Sequence, residues 1–167
     1  MDINTLWDMA TDLLSSAEGV LTDNGLELPS HRYVSWHAPA WDCCDHLTVH
    51  IAQVAPARAG TAGQIRHGAH FPGNVHDVNL VVTLIGCAAI GDPIPPDDVI
   101  MTDSEWMYQR AWTLYEGLIC LYFTPAGDGG IPTNFDGGKY IKVGPLSPKP
   151  PQGGCQAVST TFTVQLL

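Results

Sequence analysis

The chain has 167 residues, of which 45% are hydrophobic, so it is long enough to bury the core of one domain. Seven lysines and arginines against seventeen acids give a net charge of −10, which excludes the basic footprint that nucleic-acid binding needs. The acidic groups also repel an anionic membrane surface, and the low charged fraction of 14% favours a protein whose surface is partly covered by partners.

Two segments have the spacing of apolar residues that predicts an amphipathic helix. The first runs from about Leu6 to Leu21, and Asn24-Gly25 provides a left-handed stop after it. The second is predicted to open at a capping box, Thr102–Glu105, and to end at Pro125. We expect the second helix to bury a stripe formed by Met107, Ala111, Leu114, Leu118 and Leu121.

Three segments have the pattern of β-strands. Leu47–Val54 alternates apolar and polar residues, which is typical of a strand with one buried side. Val78–Cys87 is apolar on both sides and predicts a central strand covered on both faces. Val158–Leu166 alternates again and predicts a C-terminal strand. The predicted order is helix, strand, strand, helix, strand, which is an α+β fold in a single domain spanning residues 1–167.

Two long connections, about Ala55–Val75 and Pro125–Gly154, have no periodic pattern. The second is rich in glycine and proline, and such a segment has little apolar surface to offset the entropy of ordering, so we expect a flexible loop at about 125–154. It also contains side chains that a spacer does not need, which we expect to order against a neighbouring subunit or the adjacent ring. A solvated loop with solubilising lysines is the alternative. The predicted interface residues are Ile131, Phe135, Lys139, Tyr140, Ile141, Lys142 and Val143.

The cysteines predict a reducing compartment. Five is an odd number, and Met1–Thr5 has neither the basic residues nor the apolar run of a secretion signal. We therefore expect five reduced thiols and synthesis in a cytoplasm. The longest apolar stretch, Leu80–Ile90, is far shorter than the roughly 20 residues that a membrane span needs.

The residues most typical of a chemical site are Cys43-Cys44-Asp45-His46 and His50. Cys and His bind zinc, but structural zinc sites place two to four residues between paired ligands, and vicinal cysteines rarely bind one metal. Cys44, Asp45 and His46 cannot meet as a triad either, because successive residues of a strand point to opposite faces. The chain contains neither a Gly-x-x-x-x-Gly-Lys-Ser/Thr loop nor Gly-x-Ser-x-Gly. We expect no metal, no cofactor and no enzymatic activity.

Several short motifs resemble, in the same order, those of tail terminator proteins of long-tailed bacteriophages of actinobacteria. They are Ala40-Trp-Asp-Cys43 before the strand Leu47-Thr-Val, then Phe71-Pro72, the strand ending at Cys87, Gly91–Pro96, the helix reaching Cys120, and Gly153-Gly-Cys155 before the last strand. The similarity covers the whole chain as an order of elements. The departures from the pattern are the added Cys44, the alanine that follows Gln156 in place of a glycine, and the lack of an arginine before Cys87.

This resemblance implies an antiparallel sheet flanked by two main helices, in a subunit that assembles into a hexameric ring. The ring caps the tail tube and joins it to the head connector. The implied partners are further copies of the chain, the major tail tube protein and the head-to-tail connector or stopper, in the virion after assembly in the host cytoplasm. The departures leave open another neck or minor tail protein, and a small thiol- or metal-dependent enzyme is a further alternative.

Overall fold

The computed structural model describes residues 3–39, 45–56, 76–89, 91, 94–123 and 138–166. These ranges contain two helices and six strands, which confirms the predicted α+β class. In chain order the elements are α1 (Ile3–Asp23), β1 (His31–Ser35), β2 (His46–Pro56), β3 (His76–Cys87), α2 (Asp97–Phe123), β4 (Gly138–Val143), β5 (Ser147–Gln152) and β6 (Cys155–Leu166).

The strands form one mixed sheet in the order β1-β2-β3-β6-β4, and β5 also pairs with β6. β1 runs parallel to β2, whereas every other pair is antiparallel. The expectation of an antiparallel sheet is therefore wrong for one pair. A parallel neighbour needs a connection that returns the chain to the same end of the sheet, and residues 36–45 separate these two strands.

α1 forms and ends as its sequence predicts. Its apolar stripe is buried, and Gly25 follows the helix with φ of 69°. The backbone N–H of Gly25 donates to the carbonyl of Thr22, and that of Leu26 donates to the carbonyl of Leu21, both at 2.9 Å. These two bonds satisfy carbonyls that the helix end leaves open, and the positive φ costs glycine least. The predicted left-handed stop is confirmed.

α2 begins earlier than the predicted capping box. It starts at Asp97, where the carbonyl of Pro96 accepts the backbone N–H groups of Val99 and Ile100 at 3.0 and 3.2 Å. Asp97 and Asp98 place two carboxylates in the first turn, where they suit the helix dipole. The Thr102 hydroxyl donates back to the carbonyl of Asp98 at 2.7 Å. Thr102 is therefore an interior helical residue, and its prediction as a cap is wrong.

Both helices pack on the same face of the sheet, and most of the apolar core lies between these layers. The helices approach each other at Gly117 of α2, where an added Cβ would overlap the methyl groups of Val20 in α1. Four members of the predicted stripe on α2 are buried, but Leu121 is 46% exposed. The buried side of the helix continues from Leu118 to Tyr122 instead. The largest fully buried side chains are Leu13, Leu21, Leu47, Val49, Val78, Leu80, Val82, Leu84, Ile85, Leu118 and Phe162.

Two strands lie inside the segment predicted to be a flexible loop. β4 pairs with the C-terminal half of β6, and β5 pairs with its N-terminal half along the same edge. Gly153 and Gly154 join β5 to β6 with φ of 57° and 82°, as a two-residue hairpin turn requires. The prediction of a loop at 125–154 is thus wrong for Gly138–Val143 and Ser147–Gln152, because the long edge of β6 supplies backbone partners that the segment's own composition does not reveal.

Candidate interaction surface

The second face of the sheet, opposite the helices, contains the predicted histidines. His46, Thr48 and His50 share one side of β2, as their spacing predicts. His46 is buried rather than superficial, with its ring centroid 4.9 Å from that of His31 on β1. No group of three potential metal ligands occurs among the residues that the structure describes, while Cys43 and Cys44 lie outside them.

The prediction of five reduced thiols is wrong. Cys155, at the start of β6, is disulfide-bonded, whereas Cys87 and Cys120 are exposed thiols. The cysteine bonded to Cys155 lies outside the described residues. An odd number of cysteines requires one unbridged thiol but does not prevent the others from pairing, so the count was a weak guide to redox state.

A pocket of about 280 Å³ with a mixed polar and apolar lining opens on the second face around His50. The Nδ1 atom of His50 is buried and has no hydrogen-bond partner, and desolvation by burial lowers the pKa of this histidine. This shift favours the neutral imidazole. The lining residues are Ala38, Pro39, His50, Val81, Thr83, Lys149, Ser159 and Thr161.

Arg110 lies on the buried side of α2 and anchors this helix to the rest of the fold. Its guanidinium is buried, pairs with the carboxylate of Asp45 at 3.3 Å, and donates to the backbone carbonyl of Glu27. It also lies 4.0 Å from the ring centroid of Trp106, in cation–π geometry. These contacts connect α2 to the segments before β1 and β2. Arg110 is not among the predicted site residues, although an arginine beside Met107 and Ala111 in an apolar stripe was a visible signal.

The solvent side of α2 carries the most conspicuous apolar surface among the described residues. Met101, Tyr108 and Trp112 are 70%, 60% and 41% exposed. The rings of Tyr108 and Trp112 stack with centroids 6.2 Å apart and an interplanar angle of 16°. Glu105 and Glu116 are exposed beside them. We call these five residues the aromatic face. Arg110 is the only basic residue of α2, and it is buried, so the aromatic face is acidic.

The other charged surface lies at the sheet edge formed by β4 and β5. Lys142 on β4 and Lys149 on β5 are both exposed, as are Pro148, Pro150 and Pro151. We call these five residues the proline–lysine edge. It is positively charged, whereas the chain as a whole is strongly acidic.

The structure places the predicted interface residues only in part. Lys139, Tyr140, Ile141, Lys142 and Val143 belong to β4, and Val143 packs partly against the core of its own chain. Ile131 and Phe135 lie outside the described residues. The aromatic face was not predicted, since Tyr108 and Trp112 were not distinguished from core aromatics by spacing alone.

No protein-family profile matches the chain, and no curated protein matches it. None of the helices described here is both long enough and apolar enough to cross a membrane.

Proposed function

We propose that the protein is a structural virion protein that forms a hexameric ring at the head–tail junction of a long-tailed bacteriophage. The ring caps the tail tube and joins it to the head connector or stopper. The series of short motifs between Ala40 and Cys155 supports the choice of a tail terminator. The observation that carries the assembly role is the aromatic face of α2.

Single exposed apolar residues are ordinary on soluble proteins, but a contiguous exposed group marks an interaction surface. Tyr108 and Trp112 form such a group, with their rings stacked on each other, and the exposed Met101 lies two helical turns before Tyr108 on the same side of α2. Tyr and Trp are favoured at interfaces because they bury a large area and lose little conformational freedom. Arg110 fixes α2 from its buried side, so the face is presented on a rigid element.

The charge of the chain suits a ring around a DNA passage. With a net charge of −10 on each chain, the ring repels phosphate and lets DNA pass without retaining it. The negative charge would equally suit another neck component that surrounds the DNA passage, which is the alternative within the virion.

The oligomeric state tests the proposal. We expect native mass spectrometry to find a discrete species of about six times the chain mass of 18.0 kDa, alone or on the tail tube protein. Trp112→Ala should reduce this species, whereas Trp7→Ala on α1 should leave it unchanged. The two tryptophans are equally exposed, at 41%, so they form a matched pair. A monomer that also fails to bind tail tubes would contradict the proposal.

Particles that lack the protein distinguish a terminator from another neck component. A cap on the tail tube limits its growth, so loss of a terminator should produce tails of uncontrolled length. Loss of another neck protein should instead leave tails of normal length that are not joined to heads. Electron microscopy of the particles separates these two results.

A further inference from the structure

We propose that the aromatic face of α2 binds the proline–lysine edge of a second copy of the same chain. This inference rests on the proposed ring and specifies which two surfaces form its subunit contact. The aromatic face belongs to the helical layer and the proline–lysine edge to the sheet, so every copy of the chain carries both surfaces.

The proline–lysine edge is unsuited to pairing with another strand. Pro148, Pro150 and Pro151 lack backbone N–H groups, so they cannot donate to a further β-ladder. Their rings are exposed, with Lys149 exposed between them. A partner therefore has to recognise this edge through side chains, with proline rings as the apolar part and lysines as the charged part.

The aromatic face has the chemistry that recognises exposed prolines. Proline-rich segments bind to surfaces lined by aromatic rings, in a conformation that costs little entropy because the proline backbone is already restricted. Tyr108 and Trp112 lie side by side with nearly parallel rings and present such a surface. The segment Pro148–Pro151 places two prolines three residues apart, which is the spacing of proline-rich ligands.

The charges of the two surfaces are opposite and similarly spaced. Glu105 and Glu116 are eleven residues apart on α2, close to three helical turns, so they lie on one side of the helix about 17 Å apart. Lys142 lies opposite Thr163 and Lys149 opposite Ala157 on β6. Six residues along a strand span about 20 Å. The two glutamates and the two lysines can therefore pair at both ends of one contact.

A contact between two different surfaces is heterologous and generates either a ring or a filament. In a closed ring, every aromatic face is occupied by the proline–lysine edge of a neighbour, so neither surface remains exposed. The aromatic face and the proline–lysine edge are thus used once per subunit, which agrees with the proposed hexamer.

Charge reversal tests the pairing. The variant Lys142→Glu/Lys149→Glu carries acids on both surfaces, and the variant Glu105→Lys/Glu116→Lys carries bases on both. Each alone should raise the dissociation constant of the oligomer by at least about tenfold, because like charges then face each other across the contact. Mixed in equal amounts, the two variants should assemble again, since each surface then meets a partner of opposite charge. The mixed oligomer should contain equal numbers of both chains.

Asp8→Lys/Asp12→Lys is the control. It changes the net charge as much as the glutamate variant does, but on the exposed side of α1, and it should assemble like the wild type. Far-ultraviolet circular dichroism verifies that each variant is folded. Recovery of the oligomer on mixing excludes misfolding independently.

A photoreactive benzoylphenylalanine at Tyr108 gives a direct readout. It should cross-link to a peptide containing Pro148–Pro151 from a second copy, and Pro148→Ala/Pro151→Ala should reduce that yield. If the wild type assembles but the reversed variants assemble equally well, or the cross-link maps elsewhere, this pairing is wrong while the proposed ring survives. A wild type that forms no oligomer, either alone or on tail tubes, overturns both.

Discussion

The two helices pack on the same sheet but differ on their solvent sides. Toward solvent, α1 exposes mostly polar residues, with Trp7 as its one large exposed hydrophobic side chain among the described residues. α2 exposes Met101, Tyr108 and Trp112 as well as burying its own apolar stripe. A helix that only supports a core needs one apolar side. The difference indicates that α1 stabilises the subunit, whereas α2 also has a binding role.

The largest expected effect concerns the buried side of α2. Leu118→Ala should lower the free energy of unfolding by about 2–5 kcal/mol, because it leaves a cavity in a fully buried site. Leu121→Ala is the matched control on the same helix, and at 46% exposure it should cost less than about 1 kcal/mol. Urea unfolding measures both changes. Equal losses would mean that the orientation of α2 is wrong.

Because the two helices approach each other closely at one glycine, two glycine-to-alanine substitutions should change the stability of the protein in opposite directions. Gly117→Ala should destabilise the protein by about 1–3 kcal/mol, because the new Cβ would overlap Val20 and lie 2.9 Å from its Cγ2 atom. Gly19→Ala on α1 meets no atom within 4 Å and should stabilise by about 0.5–1 kcal/mol. Thermal unfolding compares them. If Gly117→Ala is also stabilising, the helices do not approach at this point.

A hydrogen bond between the helices gives a smaller, pH-dependent effect. The Tyr122 hydroxyl lies 2.8 Å from the Ser16 hydroxyl, and Tyr122→Phe should cost about 0.5–1.5 kcal/mol at pH 7. Burial raises the pKa of Tyr122, so the unfolded chain ionises first, near its usual value of 10.0. The wild type should therefore lose the stability that Tyr122 contributes as pH rises above 10. The difference in free energy of unfolding between the wild type and Tyr122→Phe should then become smaller. Urea unfolding of the wild type and of Tyr122→Phe, at pH 7 and at a pH above 10, checks this trend. A gap that stays constant would contradict burial of the hydroxyl.

The prediction with the smallest expected effect on stability concerns cysteine labelling, which tests directly whether a thiol of α2 is exposed. Cys120 is an exposed thiol of this helix and should react with iodoacetamide under native conditions. Of the five cysteines, three should label after denaturation without reductant, because one disulfide removes two thiols. Mass spectrometry counts the adducts. Five adducts without reductant would instead support the expectation of a fully reduced chain.

Part of the interaction surface was accessible from the sequence. Lys142 was singled out because a basic residue in a glycine- and proline-rich segment of an acidic chain is unusual. Tyr108 and Trp112 were not, because helical spacing places aromatic residues around α2 but does not say which side the sheet covers. The buried Arg110 shows the same limit, since its partners Asp45 and Glu27 are distant in sequence.

The sequence by itself determined the elements whose signal is local. α1 and its stop at Gly25 depend on helical spacing and on a glycine that accepts positive φ. β2, β3 and β6 have apolar periods long enough to define a strand without knowledge of its neighbours. Only the tertiary structure decided the parallel pairing of β1 and the placement of β4 and β5. These strands are short, and a short strand forms where a longer one offers its free backbone edge, which depends on contacts far along the chain.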